Sequence, residues 1–257
     1  MGLANLQVTA VADEDGDAAR AVAERIGPAR LYADYHEMLS DEAPDFVAIG
    51  PRGLDSRRDM VIACPHAGVK GVFCEKPLAA SLDDVDAMLA ACARSGTRLQ
   101  VAHQMRVTPQ VVRAHELARE GAIGEVVAVR GRGKEDARGG GEDLIVLGVH
   151  ILNLMRWFGG DARWALARIG VGSRDAAASD VHEGTEPIGP LCGDSIVAMW
   201  GLEGSAVGSF ETRSSQRQET VRRGLQVWGT EGIIDIRIVG TTPLSLVAHP
   251  IDPLHSL

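Results

Sequence analysis

The sequence predicts an α/β protein, a doubly wound parallel sheet followed by an α+β unit built on a large, mostly antiparallel sheet. Three observations predict it. The first hundred residues alternate short β-rich runs with amphipathic helical patterns, the order that a parallel sheet with crossover helices requires. The rhythm changes after Pro109, where the glycine run Gly139-Gly140-Gly141 leads into an apolar helix. From Trp164 onward, β-rich stretches follow one another with only turn residues between them.

Taken in order, Val8 to Ala12 reads as a strand and Ala18 to Ile26 as a helix closed by Gly27, a residue that tolerates the left-handed backbone on which helices often end. Tyr35 to Leu39 is a short helix. Phe46 to Ile49 and Val69 to Cys74 are compact apolar strands of the kind buried on both faces, with a helix from about Asp55 to Ala67 between them. Ser81 caps the next helix with Asp84 three residues on, and Leu82, Val85, Met88, Leu89 and Cys92 recur on one helical face. Leu99 to Ala102 follows as a strand. After Pro109 the pattern predicts a helix to about Glu120, a strand from Glu125 to Arg132 and a helix from about Asp143 to Phe158. Trp164 to Gly170, Ser195 to Trp200, Ala206 to Glu211, Gly224 to Trp228 and Ile233 to Ile238 are the strands of the second sheet. His249 to Leu257, with Pro250 and Pro253, is expected to be loosely ordered.

A chain of 257 residues can bury the cores of two modest domains. Its 45% hydrophobic and 24% charged content is that of an ordinary globular protein and excludes disorder and fibrous repeats. The net charge of −9, with no cluster of Lys and Arg, excludes an electrostatic grip on nucleic acid or anionic lipid. Met1 to Gln7 has neither the basic start nor the apolar run of a signal peptide, and no segment reaches the roughly 20 apolar residues of a membrane span, so a cytoplasmic location is expected. Cys64, Cys74, Cys92 and Cys192 lack Cys-x-x-Cys spacing and lie among apolar neighbours, which reads as reduced, buried thiols. His182, Glu183 and Asp194 do not form a metal-ligand spacing, nor does Cys64-Pro65-His66, so no metal is expected.

A doubly wound nucleotide-binding domain normally opens with a strand, a Gly-x-Gly-x-x-Gly turn and a helix, and places an acid about 20 residues later at the end of the second strand. Here the acid comes first. Asp13 follows the strand ending at Ala12, where a carboxylate accepts hydrogen bonds from the adenosine ribose, and the dozen residues before it leave no room for a phosphate loop. The glycine run at 139–141 lies too deep in the chain to serve. The absent strand belongs in the middle of such a sheet, so a gap in the ladder and a truncated or misstarted reading frame are expected. Backbone groups left unpaired at the two flanking edges cost about 1–3 kcal/mol each where buried. The Asp13-Glu14-Asp15 cluster repels a 2′-phosphate, which favours NAD over NADP.

Gly71-Val72-Phe73-Cys74-Glu75-Lys76-Pro77 is a strand ending in a charged pair and a proline, followed by Leu78-Ala79 and an amphipathic helix. This segment resembles the Gfo/Idh/MocA family of dehydrogenases, whose members include glucose-fructose oxidoreductase and inositol dehydrogenase. The likeness runs along nearly the whole chain: Asp13, Tyr32-Ala33-Asp34-Tyr35, Ile49-Gly50-Pro51, Val101-Ala102-His103-Gln104-Met105-Arg106 with Pro109, Gly148-Val149-His150-Ile151-Leu152-Asn153 and Gly229-Thr230-Glu231-Gly232 fall in the family's order. The resemblance implies a Rossmann-like NAD-binding domain over residues 1–104 and an α+β substrate-binding and oligomerisation domain over 105–257. It implies an oxidoreductase acting on the CH–OH group of a sugar or polyol, with Lys76 and His150 as catalytic residues. Lys76 would bond the substrate hydroxyl and the nicotinamide ribose, and His150 would take or relay the proton as hydride leaves. Cofactor contacts fall to Asp13, Gly50, Pro51, Glu75, Lys76, Pro77, His103 and Gln104, and substrate contacts to Arg106 and Asn153, with Lys134, Arg138 and Glu142 as further candidates for the sugar cleft.

The residue types suit that chemistry, since an imidazole acts as a base near neutral pH and an ammonium stabilises a developing alkoxide. Leu144, Leu147, Ile151, Leu154, Met155 and Phe158 form an apolar stripe, and His150 is expected at its half-buried border. The sequence departs from the family at Val146 and Asn153, where acids often stand. A homo-oligomer through the C-terminal sheet is the expected assembly. Two rivals remain: a family member without its phosphate loop that binds or assembles without catalysing, and an NAD-using lyase or glycosidase on the same scaffold.

Overall fold

The computed structural model describes residues 5–51, 53, 54, 56–215, 223–239 and 242–250, the last stretch by its backbone. The chain divides into two compact units between Ala102 and His103.

In the first unit the elements run β1 (Ala10–Ala12), α1 (Gly16–Ile26), β2 (Arg30–Tyr32), α2 (Tyr35–Glu42), β3 (Phe46–Ile49), α3 (Arg57–His66), β4 (Gly71–Cys74), α4 (Leu82–Ser95) and β5 (Arg98–Val101). Gly27 ends α1 at φ 109°. Ser81 Oγ accepts from the Asp84 amide at 3.1 Å at the start of α4, the capping arrangement its spacing suggests. Only part of the expected α4 stripe turns inward. Met88 and Cys92 are buried, whereas Leu82 and Leu89 are 81% and 49% exposed, because they lie about 100–120° around the helix from Met88.

All strand pairs of this unit are parallel, but they form two separate sheets, β2-β1 and β3-β4-β5. Among the described residues no ladder joins β1 to β3. Val72, Cys74 and Ile49 pack with Leu39, Val61, Cys64, Val69, Met88 and Cys92 into the core. The other face of β3 and β4 carries Phe46 and Phe73, which are 50% and 38% exposed. Such strands ordinarily have helices over both faces.

The second unit holds α5 (Pro109–Arg119), β6 (Val126–Arg132), α6 (Gly141–Asp143), a π turn (Leu144–Gly148), α7 (Val149–Gly159), β7 (Trp164–Val171), β8 (Arg174–Asp175), β9 (His182–Glu183), β10 (Pro190–Leu191), β11 (Ser195–Gly201), β12 (Val207–Arg213), β13 (Gly224–Gly229), β14 (Gly232–Val239) and β15 (Thr242–Pro250). Eight strands form one sheet in the order β15-β14-β13-β6-β12-β11-β7-β8. Every pair in it is antiparallel except β12 with β6. α7 packs on β6, β12 and β13, burying Ile151, Leu154 and Met155 against Val129, Phe210, Leu225 and Val227.

Two expectations need correction. The helix foreseen from Asp143 to Phe158 is present and runs without interruption through α6, the π turn and α7, but it starts at Gly141 and its Leu144–Gly148 segment is π rather than α. Its first turn is tied down from the side, since Asp143 Oδ2 accepts from Thr212 Oγ1 at 2.6 Å and from the Lys134 amide at 2.9 Å, and one residue is taken up in the wider turn that follows. The glycine run before it is a close-approach device. A side chain at Gly139 would strike the backbone of Arg213, and Gly140 sits at φ 87° against Gly193 and Asp194. The second correction concerns the tail: His249 and Pro250 pair with Ile233 and Gly232 in β15, which occupies the free ladder edge of β14. Residues 251–257 of that tail lie outside the described residues. No helix among the described residues is long and apolar enough to cross a membrane.

Candidate active site

The candidate residues fall into two clusters, one in each unit. In the first, the loops that leave the carboxyl ends of β1 in one parallel sheet and of β3 and β4 in the other carry Asp13, Gly50-Pro51 and Glu75-Lys76-Pro77, the ends of parallel strands where ligands bind. Asp13 is exposed; its amide donates to Tyr32 O at 3.0 Å and its Oδ1 accepts from the Asp15 amide at 2.9 Å. Gly50 and Pro51 are exposed, and Glu75, Lys76 and Pro77 are half-buried. The Glu75 amide donates to Ile49 O at 3.0 Å, joining the β4 turn to the end of β3. The Lys76 amide donates to Glu75 Oε2 at 3.2 Å, so the Glu75 carboxylate braces the backbone at Lys76. The Lys76–Pro77 peptide bond is cis.

Beneath these turns lies a residue that the sequence reading missed. Arg57 opens α3 and is 1% exposed. Its guanidinium donates from Nη1 to Glu75 O at 3.1 Å and to Pro77 O, and from Nη2 to Pro51 O. Burial pulls its pKa down, opposed by Cys74 and Glu75 nearby. Burial likewise pushes the Cys74 thiol up to about 11, against the pull of Arg57. In sequence Arg57 is one of two adjacent arginines in a helix start, indistinguishable from a solvated pair. Its neighbour Arg58 is indeed on the surface, paired with Asp59 and Asp84.

In the second cluster His150 is 3% exposed, which corrects the half-buried border position expected of it. The unexpected cover includes His103, whose ring meets that of His150 edge-on with centroids 5.4 Å apart. Asn153, one helical turn on, is half-buried, and its Oδ1 is enclosed without a hydrogen bond among the described residues. Val146 is buried, so no carboxylate stands at that position.

Other expected site residues are engaged elsewhere. Gln104 is exposed on a short 3-10 turn. Arg106 is exposed and stacks over Trp157 at 4.3 Å, with His115 stacked on the same indole at 4.1 Å. Lys134 pairs with Asp136 at 2.8 Å, Arg138 with Asp136 and Glu186, and Glu142 accepts from Thr185. Arg138 and Glu142 border a cleft of about 250 Å³ with Asp180, His182, Asp194 and Ser214. Among the described residues no group of His, Cys, Asp and Glu could hold a metal ion.

The first cluster fits part of a dinucleotide. An acid after β1 suits a ribose, and the turns after β3 and β4 suit a nicotinamide end. Among the described residues the pyrophosphate finds no counterpart. It needs free amides at a helix N-terminus, yet the Asp17 and Ala18 amides of α1 already donate to Asp15 Oδ1, at 2.9 and 3.3 Å, beside three acids.

Two short parallel sheets with an acid and two turns at their carboxyl ends, followed by a unit with a large mixed sheet, define a Rossmann-like α/β protein of two parts. Residues 2–103 match the family model described as "Oxidoreductase family, NAD-binding Rossmann fold", and residues 111–235 match the GFO/IDH/MocA C-terminal domain. The chain belongs to the Gfo/Idh/MocA family. It is 37% identical over 165 residues to D-apiose dehydrogenase of Paraburkholderia graminis, covering 60% of this chain and 44% of that protein. It is 27% identical over 250 residues to levoglucosan dehydrogenase of Pseudarthrobacter phenanthrenivorans, covering 87% and 63%. It therefore spans less than two thirds of the length of either relative. An NAD binding oxidoreductase from Klebsiella pneumoniae has the same fold, with a TM-score of 0.72 at 25% identity over 89% of this chain and 63% of that one.

Proposed function

We propose that the chain acts as an NAD-dependent dehydrogenase on the CH–OH group of a sugar or polyol. The observation that carries this reading is the Glu75-Lys76-Pro77 turn braced against the Gly50-Pro51 turn at the carboxyl edge of β3 and β4. The relatives' names, dehydrogenases of apiose and levoglucosan, support the substrate class. When bound, a nicotinamide accepts the hydride. Lys76 supplies a cation for the hydroxyl oxygen as its proton leaves, and His150 is the base that takes or relays that proton. Glu75 holds the backbone from which Lys76 springs. Asp13, with Glu14 and Asp15 beside it, repels a 2′-phosphate and so selects NAD over NADP.

Two copies meet, in this reading, through the outer face of the large sheet. Trp164, Leu166, Val197 and Met199 are 51%, 59%, 52% and 40% exposed there, the kind of apolar patch that marks an interface.

The test is a titration with NADH followed by nicotinamide fluorescence, then a screen of sugars and polyols for net NADH formation. Saturable binding and turnover that Lys76→Ala abolishes are expected; unchanged turnover in that variant refutes the role given to Lys76. The split between β1 and β3 favours a second reading, a chain that assembles or binds without catalysing. Absence of saturable NADH binding would favour it over the dehydrogenase reading for this chain.

A further inference from the structure

We propose that Arg57 is the positioning residue for Lys76: its guanidinium locks the 75–77 turn to the Pro51 turn and so sets the direction and charge state of the ammonium. The inference rests on the reading of Lys76 as the reactive amine.

The geometry is specific. Among the described residues Arg57 binds carbonyls from two loops, Pro51 O after β3 and Glu75 O and Pro77 O after β4. Glu75 O lies on the peptide unit before Lys76, and Pro77 O on the unit after Pro77. The chain on both sides of Lys76 is therefore held by one rigid group, while the Lys76 amide is held by Glu75 Oε2. A planar fork with five fixed donors can impose such spacing; an ammonium on a flexible stem cannot.

A filling role alone explains the residue poorly. Taking a guanidinium out of water is costly, and apolar residues of similar volume often replace buried ions at no loss of stability. Arg57 is nonetheless 1% exposed, and Cys74 beside it contributes an uncharged thiol, pushed up to about 11 by burial. The positive end of Arg57 lies close under a turn that presents a second cation, so its removal is expected to alter the field at Lys76 as well as the backbone.

The chain has only three lysines, Lys70, Lys76 and Lys134, which makes a direct readout practical. Reductive methylation with 13C-formaldehyde gives one resonance per lysine side chain, with Lys76 assigned by its loss in Lys76→Arg. In Arg57→Met the Lys76 midpoint is expected to shift by about half a pH unit or more and its line to narrow as the turn loosens. Arg57→Lys, which keeps the charge but loses the fork, is expected to narrow the line while moving the midpoint less. Lys70 and Lys134 serve as controls in the same spectra. A Lys76 midpoint and line width unchanged in folded Arg57→Met overturn the proposal; if that variant does not fold, the same result in Arg57→Lys does so. The measurement needs neither cofactor nor substrate, so failure to bind NADH would refute the proposed function, whereas an unchanged Lys76 signal would refute the coupling of Arg57 to Lys76, and the two failures are distinguishable.

Discussion

Replacing Gly131 by alanine tests whether close packing under α7 carries the stability of the second unit. Gly131 lies on β6, and an added Cβ would sit 2.6 Å from Ile151 Cγ2, 2.6 Å from Met155 Sδ and 3.3 Å from Phe210 Cδ2. Carbon contacts are favourable near about 3.5–4.0 Å, so α7 or two buried side chains must retreat by roughly an ångström. Overpacking of that kind costs about 1–3 kcal/mol. Alanine recovers about 0.4–1 kcal/mol by restricting the unfolded chain, which leaves a net loss near 1–2 kcal/mol. For a unit of this size the loss corresponds to a fall in Tm of about 2–8 °C. The assay is thermal and urea unfolding of wild type, Gly131→Ala, Met155→Ala and the double variant. Met155→Ala alone leaves a cavity; combined with Gly131→Ala it makes room for the new methyl, so the double variant is expected to lose less than the sum by about 1 kcal/mol. An unchanged or raised Tm in Gly131→Ala, or strict additivity, refutes the packing argument.

Burial holds the Cys64 thiol up to about 12 and the Cys74 thiol up to about 11, against an ordinary value of 9.0. Below pH 9 both states keep these protons and the contribution is whole; above it the unfolded chain releases protons that the fold retains, so stability falls by up to about 1.4 kcal/mol per pH unit per thiol. Urea midpoints from pH 8 to 10.5 should fall more steeply in wild type than in Cys64→Ala, and equal slopes would count against the buried thiol. In the proposed assembly Leu166, paired across the strands with Met199, faces the second copy. Leu166→Lys is expected to turn a sedimenting dimer into a folded monomer, and a wild-type chain that sediments as a monomer ends that proposal.

Much of this protein is set by local sequence. The period-2 and period-3.6 patterns place most elements within a few residues, and short-range chemistry marks their ends, as Ser81 does for α4 and Gly27 for α1. The order of motifs identifies the family. What only the tertiary structure decided depends on partners distant in sequence. Arg57 is indistinguishable from surface Arg58 until carbonyls 18 and 20 residues later close over it. His150 seemed a border residue because helical periodicity counts only its own helix, whereas the ring of His103 approaches it from another segment. Asp143, just before the π turn, is bonded by Thr212, 69 residues away. Period and composition record which residues seek burial; which groups they meet is set by the packing of the whole chain.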